Sequence, residues 1–372
     1  MDIYLTVREV LAEDPLVRDF LTLKGLLVDE KSYLTKTLTL KSVLKYKKID
    51  ETLFLREWDA FKKERTAWGG YRRDGCDVWA RIPCMVQLPM QNQLDTFAEE
   101  SRLDITCDVA LVEFGEEWIR EQLARERPPV IVAAGVEGMV KNEVLASEYE
   151  NPGFDEYNAD FAGFEDPRGA MRLISGVPLV FVADKTKLPQ KDLPLSWGDL
   201  LRDEYKRSIC YADDGHLLDS VMLAYFYQAY GEDGVRRLGQ NCVCGAHPSQ
   251  MIKAGGIEQD PAVFIMPYVF SALKTKEKNM EVVWPKEGAP IIPIVCTAQK
   301  GIGEKHLRLL EYLLGEEMGK VFMRQGLFPS SHKKVQNGLP GKLWWIGFDY
   351  LYENDILGII EKSKQIFLGE LQ

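Results

Sequence analysis

Residues 129–135 read PVIVAAG, five small or β-branched apolar residues that open after a proline and end on a glycine. An uninterrupted run of this kind suits a strand covered on both faces, as in a parallel sheet. Upstream, residues 105–112 read as another strand and 116–125 as a helix. Before these, 78–88 reads as a strand and 90–100 as a helix. The order βαβαβ predicts a doubly wound sheet. Ligands on such sheets bind beyond the carboxyl ends of the strands. That places Met90 and Gln91 after the first strand, and Gly135 and Glu137 after the third, as candidate ligand contacts.

Downstream the alternation restarts. Residues 172–184, RLISGVPLVFVAD, form a long apolar strand, and 209–211 a shorter one. Asp213 or Asp214 caps a helix over 215–230, and Gly231 ends it. Residues 263–267 form a further buried strand. A last block holds strands at 280–284 and 290–297 and helices at 304–314 and 316–325. One α/β unit is thus interrupted by another, with apolar strands at both junctions.

Residues 1–66 read differently, as a small helical domain. Thr6 and Glu9 have the spacing of a capping box. Asp14-Pro15 offers a second helix start and Gly25 its stop. Thr39 opens a third helix, and Asp50 precedes Leu53, Phe54, Trp58 and Phe61 at helical spacing. From Met1 to Arg65 there are 13 Lys/Arg and 12 Asp/Glu, so no basic face supports a DNA-reading role. A docking surface for a protein partner is the better expectation. Residues 67–77, with three glycines, read as a linker.

The chain has 372 residues, 46% hydrophobic and 28% charged, enough apolar material for folded domains without covalent staples. A net charge of −11 opposes capture of nucleic acid or anionic membrane. Asp2, Arg8, Glu9, Glu13 and Asp14 break up the apolar run a secretory leader needs, and the first cysteine is Cys76. No run approaches the length of a membrane helix. These features predict a cytoplasmic protein, with a leader removed before the first residue as the alternative. Seven cysteines, an odd number without framework spacing, fit a reducing compartment. Cys84, Cys107 and Cys296 lie in apolar segments and are expected to be buried.

Several phrases occur in one order: RLISGVPLVFVAD at 172–184, SWGDLL at 196–201, YGEDGVRRLGQN at 230–241 and AVFIMPYVFSAL at 262–273. VVWPKEGAPIIPI follows at 282–294, and LLEYLLGEEMGKVFMRQGLFPSSH at 309–332. Over roughly residues 78–350 the sequence resembles class II solute-binding proteins of ABC importers, in the branch that takes ferric iron, thiamine and polyamines. The resemblance implies an α/β fold of the periplasmic-binding-protein-like type II: two doubly wound lobes joined by a hinge, closing on a ligand between them. Mapped onto this chain, lobe one holds 78–175 and 285–372 and lobe two 176–284, with crossings near 180–183 and 266–268. It also implies a small-molecule or metal-ion ligand and an ABC permease as partner. The sequence departs from the pattern in lacking a recognisable leader. It also lacks the adjacent tyrosine pair by which ferric-binding members hold iron: Tyr225, Tyr227 and Tyr230 are close but lie within a helix.

Three constellations carry chemistry. Asp213, Asp214 and His216, with Asp219 and Ser220 following, sit at a helix start where free amides point outward. Two aspartates there repel an anion and suit a cation, an amine or a hydroxyl-rich molecule; the same residues also serve as ordinary helix caps. Cys242, Cys244 and His247 lie within six positions, a donor set suited to iron or zinc, with His216 or Asp213 as a fourth ligand. The spacing is not that of a structural zinc site. The loop containing His247 and Ser249 equally reads as lining the ligand cleft. Tyr268, at the expected return crossing, can stack on a ligand or simply pack the hinge. The aromatics Trp344, Trp345, Phe348 and Tyr350 read as packing of the C-terminal helices. No G-x-S-x-G, Walker or dinucleotide fingerprint stands in a strand–turn–helix setting. Binding without catalysis is therefore expected; the alternatives are a metal- or thiol-dependent enzyme on the same fold and a ligand-responsive regulator.

Overall fold

The computed structural model describes residues 1–13, 17, 20–21, 26, 33–47, 49–67, 75–112, 117–153, 156–188, 192–213, 218–253, 257–274 and 279–371. The chain divides into two compact units, Met1–Arg73 and Asp74–Gln372. None of the described helices is long and apolar enough to cross a membrane.

The first unit is helical. Its helices include Val7–Glu13, Tyr33–Thr37, Leu40–Tyr46 and Glu51–Ala67. The Thr6 amide donates to Glu9 Oε2 at 2.8 Å and the Glu9 amide to Thr6 Oγ1 at 3.3 Å, the reciprocal pair of a capping box. Thr39 caps the helix that follows it through the Ser42 amide, and Asp50 accepts from the Leu53 amide. Phe20 packs on Phe54 and Trp58, with ring centroids 5.0 and 5.4 Å apart, within a core that also takes Val7, Val10, Leu40 and Leu44. The helix start expected at Asp14-Pro15 and the stop at Gly25 lie outside the described residues.

The second unit is built on one continuous sheet. Its strands are β1 (Val78–Ile82), β2 (Cys107–Leu111), β3 (Val130–Ala134), β4 (Tyr149–Glu150), β5 (Arg172–Asp184), β6 (Ile209–Ala212), β7 (Cys242–Ala246), β8 (Val263–Pro267), β9 (Met280–Val283), β10 (Ala289–Gln299) and β11 (Leu343–Trp344). The order along the sheet is β2-β1-β3-β10-β5-β8-β6-β7. β1, β2 and β3 pair in parallel, as do β6, β7 and β8. These two parallel groups are the cores of two lobes. β1, β3 and β8 are buried at every position, which is why β3 and β8 are solid apolar runs without alternation and β1 departs from one only at Arg81, which pairs with Asp108 at 3.1 Å.

β5 joins the lobes. Its residues up to Pro178 pair with β10, and from Leu179 on it pairs with β8, and with β9 from Phe181. The crossing therefore falls at Pro178/Leu179, close to the expected 180–183. Gly176 lets the strands approach closely beside it: a Cβ there would stand 3.1 Å from Ile291 Cβ, a tight fit. The return crossing is not at 266–268. Those residues end β8 and begin the helix Tyr268–Lys274, entirely within lobe two. The chain instead returns between β9 and β10, where Glu287 accepts from the Trp197 amide and from Tyr230 Oη, and the Trp197 indole donates to the Gly288 carbonyl.

A second correction concerns the C-terminus, expected in lobe one through residue 372. The helix Ile356–Glu370 lies on lobe two, along the helix Leu218–Asn241. Phe367 meets Tyr211 edge-on at 4.9 Å, Arg207 Nη1 donates to the Leu371 carbonyl at 2.7 Å, and Gln240 donates to Glu370. Gly239 permits this approach, since a Cβ there would lie 2.7 Å from the Phe367 carbonyl oxygen. The physical reason is the buried face Ile356, Ile360, Ser363 and Phe367, which needs an apolar partner that the long lobe-two helix supplies.

Candidate functional site

The two parallel groups aim their carboxyl ends toward the crossing region, so the loops after β3, β6 and β7 are the natural contact segments. After β3 the chain turns at Gly135, whose φ of +83° lies in the left-handed region and whose amide donates to the Pro293 carbonyl at 2.8 Å. Glu137 follows. Burial pushes its carboxyl up, opposed by hydrogen bonds from its own amide and that of Val136. Asn142 then caps the helix Glu143–Glu148 through the amides of Val144 and Leu145.

Lobe two presents the helix Leu218–Asn241, two helical segments broken at Gly231, where φ is +64°. Tyr225 on its first half is fully buried. Its hydroxyl donates to the Ile291 carbonyl at 2.8 Å and accepts from the Ile346 amide at 3.2 Å. Desolvation pushes this phenol well above its ordinary range. Gln228 adds a bond to the Ile346 carbonyl at 2.8 Å. These bonds span the seam, because Ile291 opens the lobe-one pairing of β10 and Ile346 precedes a helix tied to lobe one through Tyr352 and Asp166.

Val136 and Glu137 from lobe one, Val221, Ala224 and Tyr225 from lobe two, and Trp345 line a space of about 10 Å³. That is about one water's worth of room. Trp345 Nε1 is buried and has no hydrogen-bond partner among the described residues. Glu137 also borders a wider cleft of about 420 Å³, lined on its other sides by Arg120, Lys141, Glu143 and Asp355.

The other sequence-proposed residues fall as follows. Asp213 and His247 stand next to each other across paired strands, one past the register pair Ala212 and Ala246 at the ends of β6 and β7. His247 Nδ1 caps the helix Pro248–Met251, accepting from the Ser249 amide at 3.2 Å and lying 2.7 Å from Ser249 Oγ. Ser220 is fully buried. Asp214 and His216 lie outside the described residues, as does the side chain of Asp219. Tyr268 packs edge-on against Trp284 at 5.2 Å, so it sits by the return crossing after all, although it does not form it.

Three expectations are corrected. Met90 and Gln91 do not follow a strand: β1 stops at Ile82, and both lie in the middle of the helix Cys84–Ser101, with Met90 in the core and Gln91 bonded to Asp95. Pro83 separates the strand from the helix, and Pro89 lies inside the helix. The same shift exposes Cys84 on the first turn, against its expected burial. The metal set Cys242, Cys244 and His247 also does not assemble. Among the described residues no group of three His, Cys, Asp or Glu side chains is placed to hold a metal ion. Cys242 is enclosed, Cys244 is hydrogen-bonded to Cys210, and His247 spends a ring nitrogen on its own helix start.

The residues that sequence reasoning missed are Tyr225 and Trp345. Both stood in view, the first as one of three helical tyrosines and the second in the aromatic stripe. Neither has a local signal, because their meeting depends on the fold bringing residues 225 and 345 to one seam.

The sequence profile of a family described as bacterial extracellular solute-binding protein matches residues 130–354. No curated protein matches the sequence. Among solved structures, apo ferric ion-binding protein A of Pasteurella haemolytica superposes with a TM-score of 0.60 at 13% identity, over 78% of this chain and 97% of that one. Iron-bound HitA from Pseudomonas aeruginosa gives 0.56 at 14%, over 79% and 98%. The periplasmic binding protein AfuA from Actinobacillus pleuropneumoniae, with exogenous fructose-6-phosphate bound, gives 0.54 at 16%, over 79% and 96%. At these identities the likeness is one of fold.

Proposed function

This chain belongs to the bacterial extracellular solute-binding proteins, and on that premise we propose that it encloses a small polar organic solute at the seam of Glu137, Tyr225 and Trp345. The family is defined by binding solutes, which favours a binding role over the enzyme alternative. Its extracellular description does not support the cytoplasmic placement expected from the first residues.

The observation that carries the proposal is the buried Trp345 indole N–H, which has no acceptor among the described residues, in a residue that lines the same space as Glu137. A buried donor of this kind is destabilising unless something accepts from it. A solute offering an acceptor to Trp345 and an amine or hydroxyl donor to Glu137 satisfies both. Asp213 and His247, which follow the paired ends of β6 and β7, are the contacts proposed from lobe two. With only about 10 Å³ of room, such a solute enters when the lobes part and is enclosed when they close. Direct ligation of ferric iron is the weaker reading, since Tyr225 commits its hydroxyl to two backbone groups. Delivery to an ABC permease follows from the same reading, and a protein partner for residues 1–66 is proposed on their near-neutral charge alone.

Native mass spectrometry beside the denatured mass tests it. A retained organic mass that is lost in Trp345→Phe and Glu137→Ala supports the proposal. A retained metal ion, or an organic mass unaffected by both substitutions, overturns it.

A further inference from the structure

β6 and β7 bring three of the seven cysteines to one edge of the lobe-two sheet, where β7 is the last strand in the order. Their register is not the simple one. Ile209 pairs with Cys242, the register then skips Val243, and Cys210 pairs directly with Cys244. Paired residues on neighbouring strands project to the same face. Neighbouring strands lie about 4.8 Å apart, inside the Cα separation of roughly 4.4–6.8 Å that a disulfide spans. The two thiols differ in access: Cys210 is fully buried, while Cys244 is half-exposed on the edge strand.

We propose that Cys210 and Cys244 form a dithiol modification site, which a low-molecular-weight disulfide such as oxidised glutathione converts to an intramolecular disulfide. In the first step the Cys244 thiolate attacks one sulfur of the oxidant, forming a mixed disulfide and releasing one thiolate. In the second, Cys210 gives its proton to the thiolate released in the first step and its sulfur attacks Cys244 Sγ. The protein disulfide forms and the second thiolate leaves. Two protein thiols are oxidised, one disulfide is reduced to two thiols, and no other reactant is needed.

The division of roles follows from the environment. Cys210 donates a hydrogen bond to the Cys244 sulfur, which lowers the Cys244 thiol and raises that of Cys210; Arg207 acts on Cys244 in the same direction. The accessible sulfur is thus the one that favours its thiolate, and the enclosed sulfur is the resolving one. Cys242 is excluded as the partner. Burial pushes its thiol well up, and it stands opposite Ile209. Cys84 is exposed, and no second cysteine stands on its helix Cys84–Ser101, so a mixed disulfide is its expected product.

The test exposes the folded full-length chain to oxidised glutathione, then unfolds it, alkylates the remaining thiols and maps the peptides without reduction. The expected result is a loss of two alkylatable thiols beyond Cys84, a protein mass about 2 Da lower apart from the Cys84 adduct, and a cross-link joining peptides 208–236 and 238–253. Fragmentation of the wild-type cross-link assigns Cys244 without any variant. In variants, Cys242→Ser keeps the cross-link and Cys244→Ser abolishes it. Glutathione retained on Cys244, a link made by Cys242, or loss of Cys84 alone would each overturn the proposal.

Discussion

Tyr225→Phe removes one oxygen from the seam and tests how the lobes are held. The hydroxyl bonds the Ile291 carbonyl at 2.8 Å and the Ile346 amide at 3.2 Å. Phenylalanine fills the same space, so packing is kept and only the polar links go. Each bond contributes about 0.5–1.5 kcal/mol net, so the pair contributes about 1–3 kcal/mol to the closed arrangement. When the lobes part, water replaces the phenol on both backbone groups, so the loss falls on closure. The closed-to-open ratio should drop about 5- to 150-fold. Solution scattering of the solute-free protein should show a larger radius of gyration than wild type. Thermal unfolding of a unit of about 300 residues should shift down by about 2–5 °C. If the variant keeps both its radius of gyration and, to within about 1 °C, its melting temperature, Tyr225 does not latch the lobes and the reasoning fails.

Trp345→Phe deletes a donor that has no partner among the described residues, so solute affinity measured by calorimetry should fall by about 2- to 13-fold, while the solute-free protein melts within about 1 °C of wild type. Glu137 has a folded pKa raised by burial, so the folded state holds its proton more tightly than the unfolded chain and the group lowers stability as pH rises past the unfolded value, near 4.3. Glu137→Gln should therefore raise the melting temperature at pH 7 and leave it unchanged below about pH 4; a gain that is the same at both pH values would contradict the assignment. Gly239→Ala sets a Cβ against the Phe367 carbonyl and should destabilise the second unit by about 1–3 kcal/mol, read by denaturant unfolding. Thr6→Ala removes one side of the capping box and should weaken the first unit by about 1 kcal/mol, seen as a shift in that unit's own transition.

The strands of the second unit were legible because strands buried on both faces leave nearly continuous apolar runs, as in β3 and the 13-residue β5. The end of β1 was misread because apolar residues continue past Ile82 into a buried helix face through Val86, Met90 and Leu94. Hydrophobicity alone does not separate a strand from the helix that follows it. The place of Glu137 after β3 was legible because strand-end position is a topological signal that survives in the sequence. Tyr225 and Trp345 were not, because 120 residues separate them and only the tertiary path brings them together. The cysteine–histidine cluster failed for the opposite reason. Closeness in sequence suggested a common site, but the register skip at Val243 sets Cys244 against Cys210, and His247 turns to its own helix.

The corrected path of the C-terminus changes how closure must work. The chain passes between the lobes along β5, again between β9 and β10, and a third time through residues 346–355 to the lobe-two helix Ile356–Glu370. Two strand crossings side by side form a simple hinge. The third connection leaves from the site itself: Trp345 and Ile346 line the seam, and Asp355, which caps the last helix through the Gly358 amide, borders the cleft beside Glu137. Because Tyr225 and Gln228 both bond Ile346, this third strap is fastened to the lobe-two helix at the point where Trp345 meets the proposed solute. A solute that draws on the Trp345 N–H thus acts on a segment already tied to both lobes. Its binding free energy is coupled directly to closure, with no longer chain of contacts required.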